Sequence, residues 1–435
     1  MAERAMRIGL VGLGTIGTGV VRALQSHAAL IAERLGFPLE LARIADIDLE
    51  RDRGVELTGV RLTRDWRELV NDPEIDLVVE LVGGTRVAKD VVLAALDAGK
   101  HVVTANKALL ATHGAEIYSL AASKHTEIAF EASVGGTIPV LRALREGLCA
   151  DRVLALHGIV NGTCNFILTQ MEANGEPYEV CLKRAQELGF AEPDPSFDVD
   201  GVDSAHKLVI LAGLAFGVRL APDAFPIDGI RRIVPADVEY ARRIGLRIKL
   251  LAVAKRVASG VEARVHPTMI PRESVLAGVD GSMNAIEVRG ELSGPTLYYG
   301  AGAGALPTAS AVLADLMELA RARRLGVAGR VPPLGTPEPS DAVLCKPGEE
   351  RGEYYVRFTA LDKPGVLSRI TGALGARGIS IASVLQEERH ESRAVPIVLT
   401  VHEARQADLD AALAEIARLP EVVAPAQKIR IEREL

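Results

Sequence analysis

Short apolar runs alternate with amphipathic stretches over the first third of the chain. MRIGLVG, LELARIAD, IDLVVELVGG and KHVVTANK are rich in Val, Ile and Leu and read as strands. Residues 15–35 and AKDVVLAALDAG carry apolar residues at helical spacing. TEIAFEASVGG adds a strand that ends near residue 136. Strands alternating with helices predict a parallel sheet covered on both faces. After residue 137 the pattern changes. TIPVLRALREGL, CNFILTQMEANG, YEVCLKRAQELGF and AHKLVILAGLAFG read as helices, and GLRIKLLAVAKRV and GVEARVHPTMI as strands, so a second, α+β layer is expected. ALPTASAVLADLMELARARR is one long helix whose small residues suit close packing and a return to the first domain.

Residues 326–350 hold five prolines and no hydrophobic periodicity, which predicts a linker. Beyond it, Tyr354, Val356, Phe358 and Ala360 alternate on one strand face, and Leu367, Ile370 and Leu374 form a helical stripe. ISIASV and VPIVLTV are strands, Leu409, Leu413, Ile416 and Leu419 a second stripe, and KIRIE a closing strand. The order βαββαβ is ferredoxin-like. The expected divisions are therefore a Rossmann-like α/β domain over 1–136 and an α+β domain over 137–325, to which the family resemblance given below assigns catalysis and dimerisation. Within the latter, the 306–325 helix is the part suited to return to the first. A linker over 326–350 and a ferredoxin-like domain over 351–435 complete the chain.

Composition narrows the function. Fifty basic and 57 acidic residues give a net charge of -7, and aromatics make up 4%, so neither a basic tract nor stacking platforms for nucleic acid are expected. Four cysteines without a CxxC pair point to a reducing compartment and a cytoplasmic protein. Glycines break the N-terminal apolar run, so it reads as folded structure rather than a signal peptide, and no apolar stretch approaches the ~18 residues of a membrane span.

GLGTIG, Gly12 to Gly17, follows a strand and opens a helix. Gly12 suits the tight turn, Gly14 lets backbone approach a pyrophosphate, and Gly17 lets helix and strand pack closely. The backbone of Leu13, Thr15 and Ile16 completes that loop. Asp46, at the end of the second strand, is the candidate for the ribose 2′-hydroxyl. Asp there favours NAD, whereas Arg43, Arg51 and Arg53 nearby would offset repulsion of a 2′-phosphate, so NAD and NADP both stand. EASVGG lacks the glycine that a nucleophile elbow needs two positions before Ser133, where Glu131 stands. That Glu and its glycine-rich turn suit either a hard cation or a simple capped turn. DVDGVD has the wrong register for a calcium loop.

EPDPSFDVDGVDSAHK, residues 192–207, carries Glu192, Asp194, Asp198, Asp200 and Asp203 and ends on Lys207. Asp203 and Lys207 stand at i and i+4 at a helix start and share a face. An exposed ion pair is the ordinary outcome of such spacing. The apolar run Leu208–Ala212 instead predicts a buried helix, where a lysine beside an acid is costly unless it moves a proton. His101, His157, His206 and His266 have no partner at ligand spacing and read as structural.

GLGTIG, TANK, FEASVGGTIP, GIVNGTCNFIL, LGFAEPDPSFDVDGVDSAHKL and GAGAGALPTASAVLAD, in that order, resemble homoserine dehydrogenases across essentially the whole chain. LDKPGVLSRITGALGARGISIASVLQ resembles an ACT domain. The resemblance implies NAD(P)-dependent interconversion of L-aspartate 4-semialdehyde and L-homoserine, on the route to threonine and methionine. It also implies Lys207 as proton donor, Asp203 as its orienting partner and a substrate contact, and Glu192 on the substrate ammonium, with Asp198 and Lys107 near the substrate. Thr104, Lys107, Gly189, Glu192 and Gly304 would touch the cofactor. Glu131 with the carbonyls of Val134, Gly136 and Ile138 would hold a structural sodium ion. Asp362, Gly365, Val366 and Leu367 would form an effector turn for threonine, and the chain would act as a homodimer or homotetramer, with neither nucleic acid nor membrane as partner. Two other readings compete: an ACT-bearing Rossmann dehydrogenase acting on a hydroxy acid, which would need a His–Glu pair that does not stand out, and a non-catalytic amino-acid sensor, against which the intact Asp203/Lys207 pair argues.

Overall fold

A computed structural model describes residues 4–386 and 394–435. Residues 1–3 and 387–393 of the expected first and last domains lie outside the described residues. The chain divides into two compact units: residues 1–156, 206–224 and 283–342 make one, and residues 157–205, 225–282 and 343–435 the other.

The first unit is built on six parallel strands: β1 (Met6–Val11), β2 (Leu39–Ala45), β3 (Arg61–Thr63), β4 (Leu77–Glu80), β5 (His101–Thr104) and β6 (Ile128–Ala129), hydrogen-bonded in the order β3-β2-β1-β4-β5-β6. This is the doubly wound order, which reverses direction between β1 and β4 and leaves a crevice at the carboxyl ends of those strands. Ile8, Leu10, Leu77, Val79 and Val103 are fully buried, as expected of strands covered on both faces. The long helix Ala305–Leu325 does return to this sheet. Its Ala309, Val312, Leu316 and Ala320 share one core with Val20 and Val21 of the helix Thr15–Ser26. A Cβ at Gly19 would stand 2.7 Å from the Ala305 carbonyl oxygen, so glycine permits this close approach.

Two expected elements differ. The helix over 15–35 breaks at His27 into Thr15–Ser26 and Ala28–Leu35. Only Ile128–Ala129 of TEIAFEASVGG is strand, after which Glu131–Ser133 forms a 3₁₀ turn. There the Glu131 backbone N–H leaves the ladder and donates to the Asp315 carboxylate at 2.8 Å. A hairpin, Met283–Gly290 with Gly294–Ala301, has no counterpart in the sequence-based expectation.

In the second unit, β7 (Leu246–Val257) and β8 (Gly260–Pro271) form a long antiparallel pair. β9 (Arg351–Leu361), β10 (Ile381–Leu385), β11 (Ala394–Arg405) and β12 (Val422–Ile431), with the helices Val366–Gly375 and Gln406–Ile416, make the expected βαββαβ module. Its strands follow the order β12-β9-β11-β10, with Tyr354, Val356, Phe358, Ile370, Leu374 and Leu409 in its core. The module is not detached: β12 pairs in parallel with β8 through Thr268–Arg430 and Met269–Ile431, so one sheet runs through the unit. Asp237, fully buried near the start of the helix Pro235–Arg243, adds a second tie by accepting from Tyr355 Oη at 2.9 Å and Arg357 Nε at 2.6 Å. Within 326–350, Cys345 donates its N–H to Val261 and Val261 donates to Val343, so the end of that stretch is bound to β8.

Candidate active site

The glycine loop sits between β1 and the helix Thr15–Ser26. Gly12 has φ +98°, and a Cβ there would lie 2.5 Å from the Leu81 carbonyl oxygen. At Gly17 a Cβ would stand 2.2 Å from the Gly12 oxygen, whereas at Gly14 it would meet nothing within 4 Å. Two glycines therefore close the turn and the third leaves open space beside it. Gly14 is also the N-cap, with no side chain on the first N–H groups of the helix. Those groups, with Leu13, Thr15 and Ile16 around them, form an anion-ready terminus.

Asp46 follows β2 and braces this loop. Its carboxylate accepts from Leu13 N–H at 2.5 Å and from Asp48 N–H at 2.8 Å, with Arg53 Nη2 at 3.4 Å. Arg53 in turn donates to the Leu13 carbonyl at 2.5 Å. Arg43 turns to the Glu68 carbonyl and Asp72 instead, so of the three arginines near Asp46 it is Arg53 that pairs with it.

Thr104 ends β5 fully buried, and its hydroxyl donates to Glu80 at 2.7 Å. Burial pushes the Glu80 carboxyl above its ordinary range, with the bonds from Thr104 and Val82 opposing. Asn106 caps the next helix by accepting from Leu109 N–H at 3.1 Å and donates to the Gly84 carbonyl at 2.6 Å. Lys107 is the first residue of that helix and is half-buried. Gly304, at φ +125°, caps the helix Ala305–Leu325.

In the second unit Asp198 lies on the single turn Ser196–Val199, and Asp203 opens the helix Val202–Phe216. What joins them is Asn161, whose sequence position carries no catalytic signal. Its amide donates to Asp198 Oδ1 at 2.8 Å and to Asp203 Oδ2 at 2.9 Å, while its own Oδ1 caps the helix Gly162–Asn174 by accepting from Cys164 N–H at 2.8 Å. Asn161 and Asp203 are both 4% exposed, so this is an interior arrangement. Thr163 holds the neighbouring loop by donating to the Phe190 carbonyl at 2.6 Å, and Gln186 donates to the Glu192 carbonyl at 3.1 Å. Glu192 and Gly189 are exposed. Asp200 faces away from this group and pairs with Arg231, which also reaches Ser196 Oγ at 2.9 Å.

Lys207 corrects one expectation. The helix is buried through Leu208–Ala212, but Lys207 is half-buried, with Asp203 the fully enclosed member.

Glu131 is buried and accepts from the N–H groups of Leu141 and Arg142, each at 2.8 Å. Asp315 beside it is 2% exposed, and burial pushes its carboxyl up to about 7, Glu131 adding to the rise. Among the described residues no group of three or more His, Cys, Asp or Glu side chains is arranged to hold a metal ion. Gly365 takes φ +88° at the start of the helix Val366–Gly375, with Val366 buried, Leu367 half-buried and Asp362 accepting from Gln386 at 3.2 Å. A cavity of about 1700 Å³ lies along the helix Lys107–Ser123 and residues 327–341, and none of the expected catalytic, cofactor, sodium or effector residues lines it. The four cysteines are unpaired, and among the described residues no helix is long and apolar enough to cross a membrane.

A doubly wound sheet with an open glycine at a bare helix terminus defines a dinucleotide-binding oxidoreductase, and residues 12–131 match the NAD-binding domain of homoserine dehydrogenase. Residues 139–317 match the homoserine dehydrogenase family itself and residues 354–421 the ACT domain. The homoserine dehydrogenase of Pseudomonas aeruginosa is 46% identical over 434 residues, covering 99% of both chains. That of Bacillus subtilis is 39% identical over 431 residues, again covering 99% of each. The crystal structure of a homoserine dehydrogenase from Thiobacillus denitrificans superposes with a TM-score of 0.94 at 43% identity, covering 99% of both chains. The chain belongs to the homoserine dehydrogenase family, and its activity is the NAD(P)-dependent interconversion of L-homoserine and L-aspartate 4-semialdehyde.

Proposed function

We propose that Glu192, Asp198 and Asp203 receive the ammonium of the amino-acid substrate and that Lys207 protonates the aldehyde oxygen. NAD(P)H, when bound, supplies the hydride. The observation that carries this reading is the Asn161 amide, which spends both N–H groups on Asp198 and Asp203 and so fixes one half-buried and one buried carboxylate in direction. Directed carboxylates suit a substrate ammonium, since charge-assisted bonds are strong and orienting. Lys207, one turn after Asp203, is the general acid in reduction and the base in oxidation. Lys107 assists beside the cofactor.

The backbone from Gly12 to Gly17 takes the pyrophosphate, and Thr104, Gly189, Glu192 and Gly304 complete the cofactor contacts. Asp46 takes an adenosine ribose hydroxyl, while Arg53 beside it is the group that would meet a 2′-phosphate, so the pair supports NAD and NADP alike. Left-handed Gly135 and Gly136 turn the backbone beside Glu131. Its carbonyls at Val134, Gly136 and Ile138 are hard oxygen donors of the kind a sodium ion takes. Threonine regulates through Asp362, Gly365, Val366 and Leu367, and the enzyme works as a homodimer or homotetramer in the cytoplasm, with the four divisions expected from sequence.

The test is NADH and NADPH oxidation with aspartate semialdehyde against a 2-keto acid. Turnover on the keto acid alone would overturn the reading. Lys207→Ala should lower kcat ~10²- to 10⁴-fold, the range for an acid–base residue, with coenzyme binding kept. Near-wild-type turnover would remove Lys207 from the mechanism.

A further inference from the structure

Where β12 joins β8, two buried arginines and a half-buried lysine are gathered together. Arg264 pairs with Glu262 and with Glu432 at 3.0 Å, Arg430 lies 3.4 Å from Glu262 and 3.5 Å from Glu432, and Lys255 also pairs with Glu432. Three cations thus share two carboxylates. His157, 3.7 Å from Glu432, adds no settled charge, because burial holds its imidazole below its ordinary range. His266 is pushed down to about 3 by burial and the two arginines, so it is neutral.

The arginines are not satisfied by these acids. Nε and Nη1 of Arg430 and Nε of Arg264 are buried without a hydrogen-bond acceptor. Arg430 and Arg264 are 6% and 3% exposed, so water does not reach them freely. A buried charged donor left unpaired is costly and is normally matched by a partner.

A cavity of about 50 Å³ opens beside these groups. Its charged lining is Arg232, Arg264, Lys428 and Arg430 against Asp228 and Glu350. Glu350 is turned partly to the Gly348 N–H, at 2.6 Å, and Lys428 pairs with Asp410. With Glu262, Glu432 and Asp410 behind the lining the acids match the cations in number, so what the cavity offers is unfilled guanidinium N–H groups rather than surplus charge. Tyr354, Gln406 and Gln427 contribute neutral polar groups. None of these residues belongs to the catalytic, cofactor, sodium or effector sets above.

We propose that this cavity binds a small oxyanion, an inorganic phosphate or the carboxylate of a small organic acid, anchored by Arg430 and Arg264 with Lys428 and Arg232 nearer solvent. The unfilled guanidinium N–H groups of the two arginines can each donate a charge-assisted bond to either oxyanion. The volume admits a group of a few heavy atoms and excludes a nucleotide.

The test is thermal unfolding of the full chain saturated with NADPH, so that the glycine loop is already occupied. Sodium phosphate, sodium acetate and sodium chloride are titrated at constant ionic strength. A saturable rise in Tm with phosphate or acetate, absent with chloride, is expected. A response to phosphate alone assigns the inorganic ion, one to acetate alone assigns an organic acid, and one to both assigns a general oxyanion site. Lys428→Met and Arg232→Met, which leave the buried pairs in place, should each raise the apparent Kd about tenfold. No saturable rise, a rise equal to that in chloride, or a rise unchanged in both variants would overturn the proposal. Because neither variant touches the catalytic groups, retained turnover separates this result from the fate of the Lys207 mechanism.

Discussion

Replacing Asn161 with Ser removes the amide that joins Asp198 to Asp203 and keeps a hydroxyl able to cap the helix behind it. Ser and Asn are comparable N-caps, so the cap contributes little to the difference. What is lost is a pair of bonds to carboxylates at 2.8 and 2.9 Å, one side buried at 4% exposure. A hydrogen bond to a charged group contributes about 1.5–3 kcal/mol, and water entering the vacated space recovers part of it, leaving a loss of roughly 2–4 kcal/mol. If half of that loss falls on substrate orientation, kcat/KM drops about 5- to 30-fold. The assay is steady-state NAD(P)H oxidation against aspartate semialdehyde concentration, with circular dichroism to confirm folding. Asn161→Asp, which caps but sets a third carboxylate against the other two, should lose more than Asn161→Ser. Asn161→Ser with wild-type kcat/KM and unchanged Tm would refute the idea that this amide organises the acidic group.

Three further outcomes follow from the same physics. Gly14→Ala should fold normally, because its Cβ meets nothing within 4 Å, yet raise the KM for coenzyme about tenfold or more. Gly17→Ala, whose Cβ would stand 2.2 Å from the Gly12 oxygen, should lower stability by about 1–3 kcal/mol, so a Tm equal to wild type would refute the packing role. Lys249 is 1% exposed and bonded to Asn165 Oδ1 at 3.0 Å and the Val279 carbonyl at 2.5 Å, and burial pushes its ammonium down to about 8. Between pH 8 and 10.5 the unfolded chain then binds more protons than the folded one, so this group's contribution raises stability with pH across that window. The change in denaturant midpoint on going from pH 7.5 to 9.5 should be less favourable in Lys249→Met than in wild type; an unchanged pH difference would sink the assignment.

Much of the fold is legible because its signals are local. GLGTIG places three glycines with separate steric tasks within six residues, and the alternation Tyr354, Val356, Phe358, Ala360 marks a strand face directly. The helix after Gly201 is equally plain from its apolar run. Relations across the chain are not legible in this way. Asn161 lies 42 positions before Asp203, and nothing in NGTCNF distinguishes a structural cap from an organiser of carboxylates. The charges at Lys255, Arg264, Arg430 and Glu432 each look like ordinary solvated positions on a strand, and only the pairing of β12 with β8 brings them together. The 3₁₀ turn at Glu131 likewise depends on a tertiary partner, the Asp315 carboxylate that takes its N–H, which overrides local propensity.

The parallel ladder between β8 and β12 makes the C-terminal module poor material for a clean excision. Cutting the chain at residue 350 would expose the flank of β8 as a bare strand, open to pairing with another molecule, and would take away Glu432, the shared counter-ion of Lys255 and Arg264. Aggregation of such a fragment would then report a torn sheet and orphaned positive charge, and would say nothing about whether an effector acts through the module.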